Sequence, residues 1–348
     1  MKKLRETSFA SLDIIAFGTH VSEFYGKTVD DFYKYDFDVA YELESLVLGD
    51  SPEAISSSMG LTVTKFSSIW ARENYDLIIV LGDRYEMFSA ISASVPFNIP
   101  VAHLHGGETT EGAIDNKFRH CITSMSELHF VSTKNHAERV KQILGKEKNI
   151  YNVGAPALDN LNEIALQTKQ EFYDEWEIDL KKPTVLTTFH PETVALEKNL
   201  EYVRELCQAM EEIEKQFVIT LPNNDTLGTE VRAELLKFAN KDSGKYKVVE
   251  ALGTVSYYSC MKFCEYLLGN SSSGIIEAAS FNKYVINIGD RQKGRDFGEN
   301  IFHVPAKKEK ILDAADEIEN MGPFKGKNIY GDRTATDKIV NIIEHYFE

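Results

Sequence analysis

Ten short aliphatic runs, most of them closed by glycine, aspartate, histidine or a small polar residue, constrain this chain more than any other feature. The first half carries LDIIAFG (Leu12–Gly18), DLIIVLGD (Asp76–Asp83), IPVAHLHGG (Ile99–Gly107), ELHFVST and KNIYNVGAP. The second half carries PTVLTTFH, QFVITLPN, YKVVEAL, YLLGNSSS and YVINIGD. Such runs are too short for core helices and too continuously apolar for strands with one wet face. They predict strands buried on both sides. Segments with helical spacing of apolar residues, such as YEMFSAISASV, lie between them. This alternation predicts parallel β-α-β construction and an α/β fold. A chain of 348 residues is long for one core, so two doubly wound domains facing a cleft are expected. The charged segment QTKQEFYDEWEIDLKK, in a stretch from Leu161 to Lys182 that stops at Pro183, marks the junction. The expected division is 1–165, 166–330 and a C-terminal helix over 331–348.

Charge narrows the partners. A net charge of −16 without a basic stripe argues against nucleic acid. A phosphorylated small molecule remains open to it, since that needs only a few local donors. No apolar run is long enough to span a bilayer, and the N-terminus lacks a signal peptide's apolar segment, so no membrane partner is expected. Cys121, Cys207, Cys260 and Cys264 show no paired spacing and are expected to be reduced, in a cytoplasmic protein. The nine histidines form no metal-spaced pattern, so no metal is expected.

Open parallel sheets bind ligands beyond the carboxyl ends of their strands, and the chemically loaded motifs all fall there. In LGDRYEM, Asp83 and Arg84 stand between a strand and a helix. A helix cap worth about 1 kcal/mol and a carboxylate–guanidinium pair offered to a ligand are equally good readings of that pair. The stretch HLHGGETTEGAIDNKFRH goes further: His103 and His105 end a strand, Gly106 and Gly107 permit a tight turn, and Glu108, Glu111 and Asp115 follow. Complementing a helix dipole explains one carboxylate there, but not three with two histidines. Groups of this kind supply acid–base chemistry when their surroundings push their pKa values apart. His190 in TTFHPET ends the first strand of the second half. Asn223 and Asp225 in LPNNDTLG suit a turn as well as a ligand. GNSSSGIIEAASF leads glycine and serines into a helix, so hydroxyls and free N–H groups can surround an anion, with Glu277 one turn further on. Arg291, Lys293 and Arg295 form a cationic patch in an acidic chain.

These motifs, in this order, resemble the hydrolysing UDP-N-acetylglucosamine 2-epimerase family, in the branch that serves sialic and legionaminic acid synthesis. LGDRYEMFSA, HLHGGETTEGAID, Arg119 to Thr123, FHPET, GNSSSGIIE and NIGDRQKGR carry the resemblance, which runs from about Leu12 to the C-terminus. It implies two Rossmann-like domains of the glycosyltransferase-B type, with UDP held mainly by the second. Ser271, Ser272, Ser273 and Arg291 are then expected at the diphosphate and Glu277 at the ribose hydroxyls. His190 is expected beside the phosphate or sugar, and Arg84, Asn223 and Asp225 among the substrate contacts. Asp83, Glu108 and Asp115, with His105 where some relatives carry glutamate, are the expected acid–base groups. The implied reaction eliminates UDP from the sugar nucleotide to give a glycal, then hydrates the glycal with inverted C2 configuration. That chemistry calls for no cofactor. The implied product is N-acetylmannosamine, or the corresponding epimer of a 2,4-diacetamido-2,4,6-trideoxy sugar. A glycosyltransferase on the same fold, and an inactive UDP-sugar-binding protein, are the competing readings. A homo-oligomer, dimer or tetramer, is expected. The family opens with a strand and a Gly-Thr/Ser-Arg loop, whereas Met1–Thr7 resembles the end of the helix after that loop. The first domain is therefore expected to lack its N-terminal strand.

Overall fold

The computed structural model describes residues 1–49, 51–109, 114–192, 198–222 and 228–348. They divide into two compact units, Met1–Ala155 with Thr334–Glu348, and Pro156–Arg333. In the first unit the strands are β1 (Ile14–Phe17), β2 (Val39–Leu43), β3 (Ile78–Leu81), β4 (Val101–Leu104), β5 (Leu128–Val131) and β6 (Ile150–Asn152). In the second they are β7 (Thr184–Thr188), β8 (Gln216–Thr220), β9 (Tyr246–Val249), β10 (Tyr266–Gly269), β11 (Tyr284–Ile288) and β12 (Ile301–Val304). Every pairing among the described residues is parallel.

The second unit's sheet runs β12-β11-β10-β7-β8-β9, the order of a doubly wound dinucleotide-binding sheet with its switch point between β7 and β10. Alternate residues on one strand feed opposite cores, as a period of two requires. Val185, Leu268 and Ile286 join Val203, Leu206, Met210 and Ile311 on one face. Their neighbours Leu186, Leu267 and Val285 join Phe172, Cys260, Met261 and Cys264 on the other. Burial lifts the Cys264 thiol to about 12, so these cysteines behave as small core hydrophobes.

The first unit holds two sheets, β1-β2 and β3-β4-β5-β6. β1 and β3 pack against the same helices through a shared cluster in which Ile15, Phe17 and Ile78 meet Phe66, Ile69 and Trp70. Among the described residues each has one unpaired edge, and Ile79 and Leu81 on β3 are 38% and 58% exposed. The C-terminal helix Ala335–Phe347 lays Ile339 and Ile343 against Leu128 and Phe130. No helix among the described residues is long and apolar enough to cross a membrane.

Candidate active site

Titratable groups of the first unit gather where β3, β4 and β5 end. His103, fully buried in β4, ties the turns together: its Nε2 lies 2.8 Å from the Gly82 carbonyl oxygen and its Nδ1 3.2 Å from Thr123 Oγ1. Burial pushes this imidazole down to about 4, so it is neutral and structural. One residue past the strand, His105 adopts φ +65°, a left-handed conformation that side chains avoid outside places where the fold imposes it. Its Nδ1 lies 2.6 Å from Glu108 Oε1, and Ser132 Oγ, just beyond β5, lies 2.9 Å from both atoms. Burial alone would raise the Glu108 carboxyl, but the hydrogen bond and charge of His105 outweigh it and hold the group at about 2. Glu108 is therefore ionised throughout the working pH range. Gly107 has φ +79°, and a β-carbon there would collide with the His136 carbonyl.

Asp83 does not cap the following helix. Arg84 holds the cap position without a side-chain bond, and Asp83 instead forms an ion pair with Arg119. Asp115 opens the helix Asp115–Met125 and Arg119 stands one turn along it, which places both beside Asp83. Burial and then the Asp83 charge raise the Asp115 carboxyl above its ordinary value. The Arg119 side chain is buried, and its Nε and Nη1 have no partner among the described residues. A buried guanidinium of this kind gains from an anion or carbonyl set against its donors. Arg84 is turned to Glu86 instead, through two 3.2 Å contacts, and is largely exposed.

In the second unit, His190, Ser271, Ser273, Glu277 and Arg291 come from the loops after three adjacent strands, β7, β10 and β11. Asn270 makes a two-point clamp on the His190 backbone: Oδ1 accepts from His190 N at 2.7 Å and Nδ2 donates to His190 O at 2.8 Å. Arg291 Nη1 donates to the Asn270 carbonyl at 3.1 Å. Ser271 and Ser273 hydroxyls lie 2.9 Å apart, with Tyr257 OH 2.6 Å from Ser273 Oγ, and Ser272 begins the short helix Ser272–Ile276. Glu277 is the C-cap of that helix rather than a residue within it. Its Oε1 accepts from Tyr258 OH at 3.4 Å, its buried Oε2 has no partner among the described residues, and burial pushes the carboxyl up to about 7. A carboxylate desolvated this far gains most from a ligand that brings hydroxyl donors. Asn223 and Asp225 lie outside the described residues, as does Glu111.

Several members of these clusters have no site role expected from the sequence, Arg119 among them although its motif carries the resemblance. Arg119 was recoverable from its i, i+4 spacing to Asp115, and Ser132 and Asn270 from their places at strand ends. Tyr258 carries no such signal, because nothing local says that its hydroxyl meets Glu277.

Residues 2–344 match the family model described as UDP-N-acetylglucosamine 2-epimerase. The chain is 30% identical over 344 residues to a UDP-N,N'-diacetylbacillosamine 2-epimerase (hydrolyzing) of Legionella pneumophila, covering 99% of this chain and 90% of that one. It is 36% identical over 293 residues to a GDP/UDP-N,N'-diacetylbacillosamine 2-epimerase (hydrolyzing) of Campylobacter jejuni, covering 84% and 76%. Among solved structures, the UDP-GlcNAc 2-epimerase of Neisseria meningitidis bound to UDP-GlcNAc is similar with a TM-score of 0.76 at 17% identity, covering 99% and 94%. That likeness gives the fold: two Rossmann-like domains of the glycosyltransferase-B type.

Proposed function

The chain belongs to the UDP-N-acetylglucosamine 2-epimerase family, and on that premise we propose that it is a hydrolysing UDP-sugar 2-epimerase whose first unit supplies the acid–base groups and whose second unit holds UDP. The observation that carries this reading is the cluster of Asp83, His105, Glu108, Asp115 and Arg119 at the strand ends of the first unit. The reaction needs a base to take the C2 proton as the C1–O bond to UDP breaks, leaving a glycal. Water then adds across that double bond, hydroxyl to C1 and proton to C2 from the opposite face, so UDP-sugar and water become UDP and the free 2-epimer.

Two groups in the cluster have environments suited to carrying that proton. Asp115, raised by burial and by Asp83, is a stronger base than an ordinary aspartate. His105 is the second, with Glu108 holding its Nδ1 and so fixing its orientation and tautomer. Glu108, its carboxyl lowered by the hydrogen bond and charge of His105, is proposed to act through His105. Asp83 orients Arg119, whose unused donors suit the substrate's polar atoms. In the second unit, Ser271, Ser272, Ser273 and Arg291 serve the diphosphate, Glu277 the ribose hydroxyls, and His190 the departing phosphate or sugar. Arg84, Asn223 and Asp225 complete the proposed substrate contacts.

The substrate reading is UDP-N,N'-diacetylbacillosamine, because the Legionella and Campylobacter relatives are named for it. UDP-N-acetylglucosamine, giving N-acetylmannosamine, is the second reading, supported by 26% identity over 337 residues to a Neisseria meningitidis relative named UDP-N-acetylglucosamine 2-epimerase. Comparing kcat/KM for the two, with UDP and free 2-epimer as products, decides between them. The first reading predicts turnover of the diacetamido sugar at the higher kcat/KM, and the reverse order contradicts it. The four free cysteines suit a cytoplasmic enzyme. Sedimentation velocity tests the accompanying proposal of a homo-oligomer, dimer or tetramer.

A further inference from the structure

Glu192, two residues beyond His190, is 5% exposed, and its carboxylate turns away from its own strand end to a loop two strands over. Oε1 accepts from Asp290 N at 2.7 Å and from Arg291 N at 3.2 Å. Gly289, at φ +71°, leaves the space for this, since a β-carbon there would collide with Oε1. The Glu192 backbone is fixed in turn by buried Asn199: Glu192 N donates to Asn199 Oδ1 at 2.8 Å and Asn199 Nδ2 donates to Glu192 O at 3.0 Å. Buried Gln292 closes the ring by donating from Nε2 to the Asn270 carbonyl at 2.8 Å. The loops after β7, β10 and β11 are thereby tied into one body. A carboxylate buried at this depth requires donors, and Oε1 finds two in the successive backbone N–H groups of Asp290 and Arg291.

We infer that Glu192 is a positioning residue that holds the Gly289–Arg291 turn so that Arg291 meets the UDP diphosphate. This rests on the proposal that the second unit binds UDP. Glu192 touches no ligand in this account. It acts through Arg291, so its effect is expected at the diphosphate, the group that Arg291 meets.

The test compares the affinities of the full chain for UDP and for uridine, which lacks the diphosphate, by calorimetry and ligand-observed NMR. In Glu192→Ala the UDP-to-uridine affinity ratio is expected to fall about tenfold, the loss of one charge-assisted contact. Uridine affinity itself is expected to hold. Glu192→Gln keeps an acceptor oxygen at the same reach and is expected to restore the ratio to within about twofold. If Glu192→Ala does not fold, Glu192→Asp, which withdraws the carboxylate by one methylene, is read by the same ratio and is also expected to lower it. An unchanged ratio in the shortened variant, equal losses for UDP and uridine, or no rescue by Gln overturns the inference. A wild-type chain that fails to bind UDP overturns the binding proposal beneath it, which is a different result from binding with an unchanged ratio.

Discussion

Asp115 and Glu108 stand a few residues apart, yet their surroundings drive them in opposite directions. Asp115 has burial and the Asp83 charge against its ionised form, whereas Glu108 has His105 and Ser132 supporting it. A proton carrier and a fixed anion are the natural division between them. Asp115→Asn is expected to cut kcat by roughly 10²- to 10⁴-fold, the usual size of a general acid–base contribution. UDP affinity by calorimetry should not move, and a matching loss of affinity would make Asp115 a binding residue. Glu277 gives a second residue-level prediction. Its carboxyl, pushed up to about 7 by burial, is largely protonated just below neutrality, and hydroxyl donors from a bound ribose favour the ionised form. UDP binding near pH 6.5 should therefore release a proton that Glu277→Gln does not release, which calorimetry in buffers of different ionisation enthalpy detects. Equal proton release by both proteins would remove Glu277 from the site.

At the scale of strands and loops, the sheet ends were legible because ten runs are rich in aliphatic residues. Burial on both faces holds for β5, β7, β8, β10 and β11 and not for β3, β6 and β9, which are partly exposed. β2 and β12 escaped that reading. Both are edge strands, VAYEL and IFHV, whose partly exposed pattern weakens the apolar signal. Within the loops, the residue types of the site were legible but their pairings were not. Pairings such as Asp83 with Arg119, or Glu192 with the Asp290–Arg291 peptide, join segments 36 and 98 or more residues apart. No local pattern encodes them. Among the described residues β3 has an unpaired edge, and such an edge is a template for pairing with another chain. Leu81→Lys is expected to reduce concentration-dependent association in static light scattering, and unchanged association would show that this edge is not the contact.

Across the whole molecule, stability has an acid limit set by buried imidazoles. Burial pushes His103 and His129 down to about 4 from an ordinary 6.5. Between those values the unfolded chain binds the protons that the folded one refuses. Stability is full above about 6.5 and is lost as pH falls toward 4. Glu277 works in the other sense, since its raised carboxyl makes ionisation costly to the fold as pH rises from 4.5 to about 7. The two histidines outweigh the one carboxyl, so Tm should drop on acidification below 6.5, and more shallowly in His129→Leu. An equally steep drop in that variant would put the acid limit elsewhere. The α/β fold with parallel sheets was legible from run spacing, and the family from the strand-end motifs, because ligand chemistry concentrates where such sheets end. The central claim is that UDP leaves by elimination and that water then enters with inversion at C2. Turnover of the UDP-sugar in deuterium oxide, followed by NMR of the released sugar, tests it most directly. The account predicts UDP formed without any acceptor, together with a free 2-epimer carrying one deuterium at C2. A released sugar that keeps its original C2 configuration and its C2 proton would contradict it.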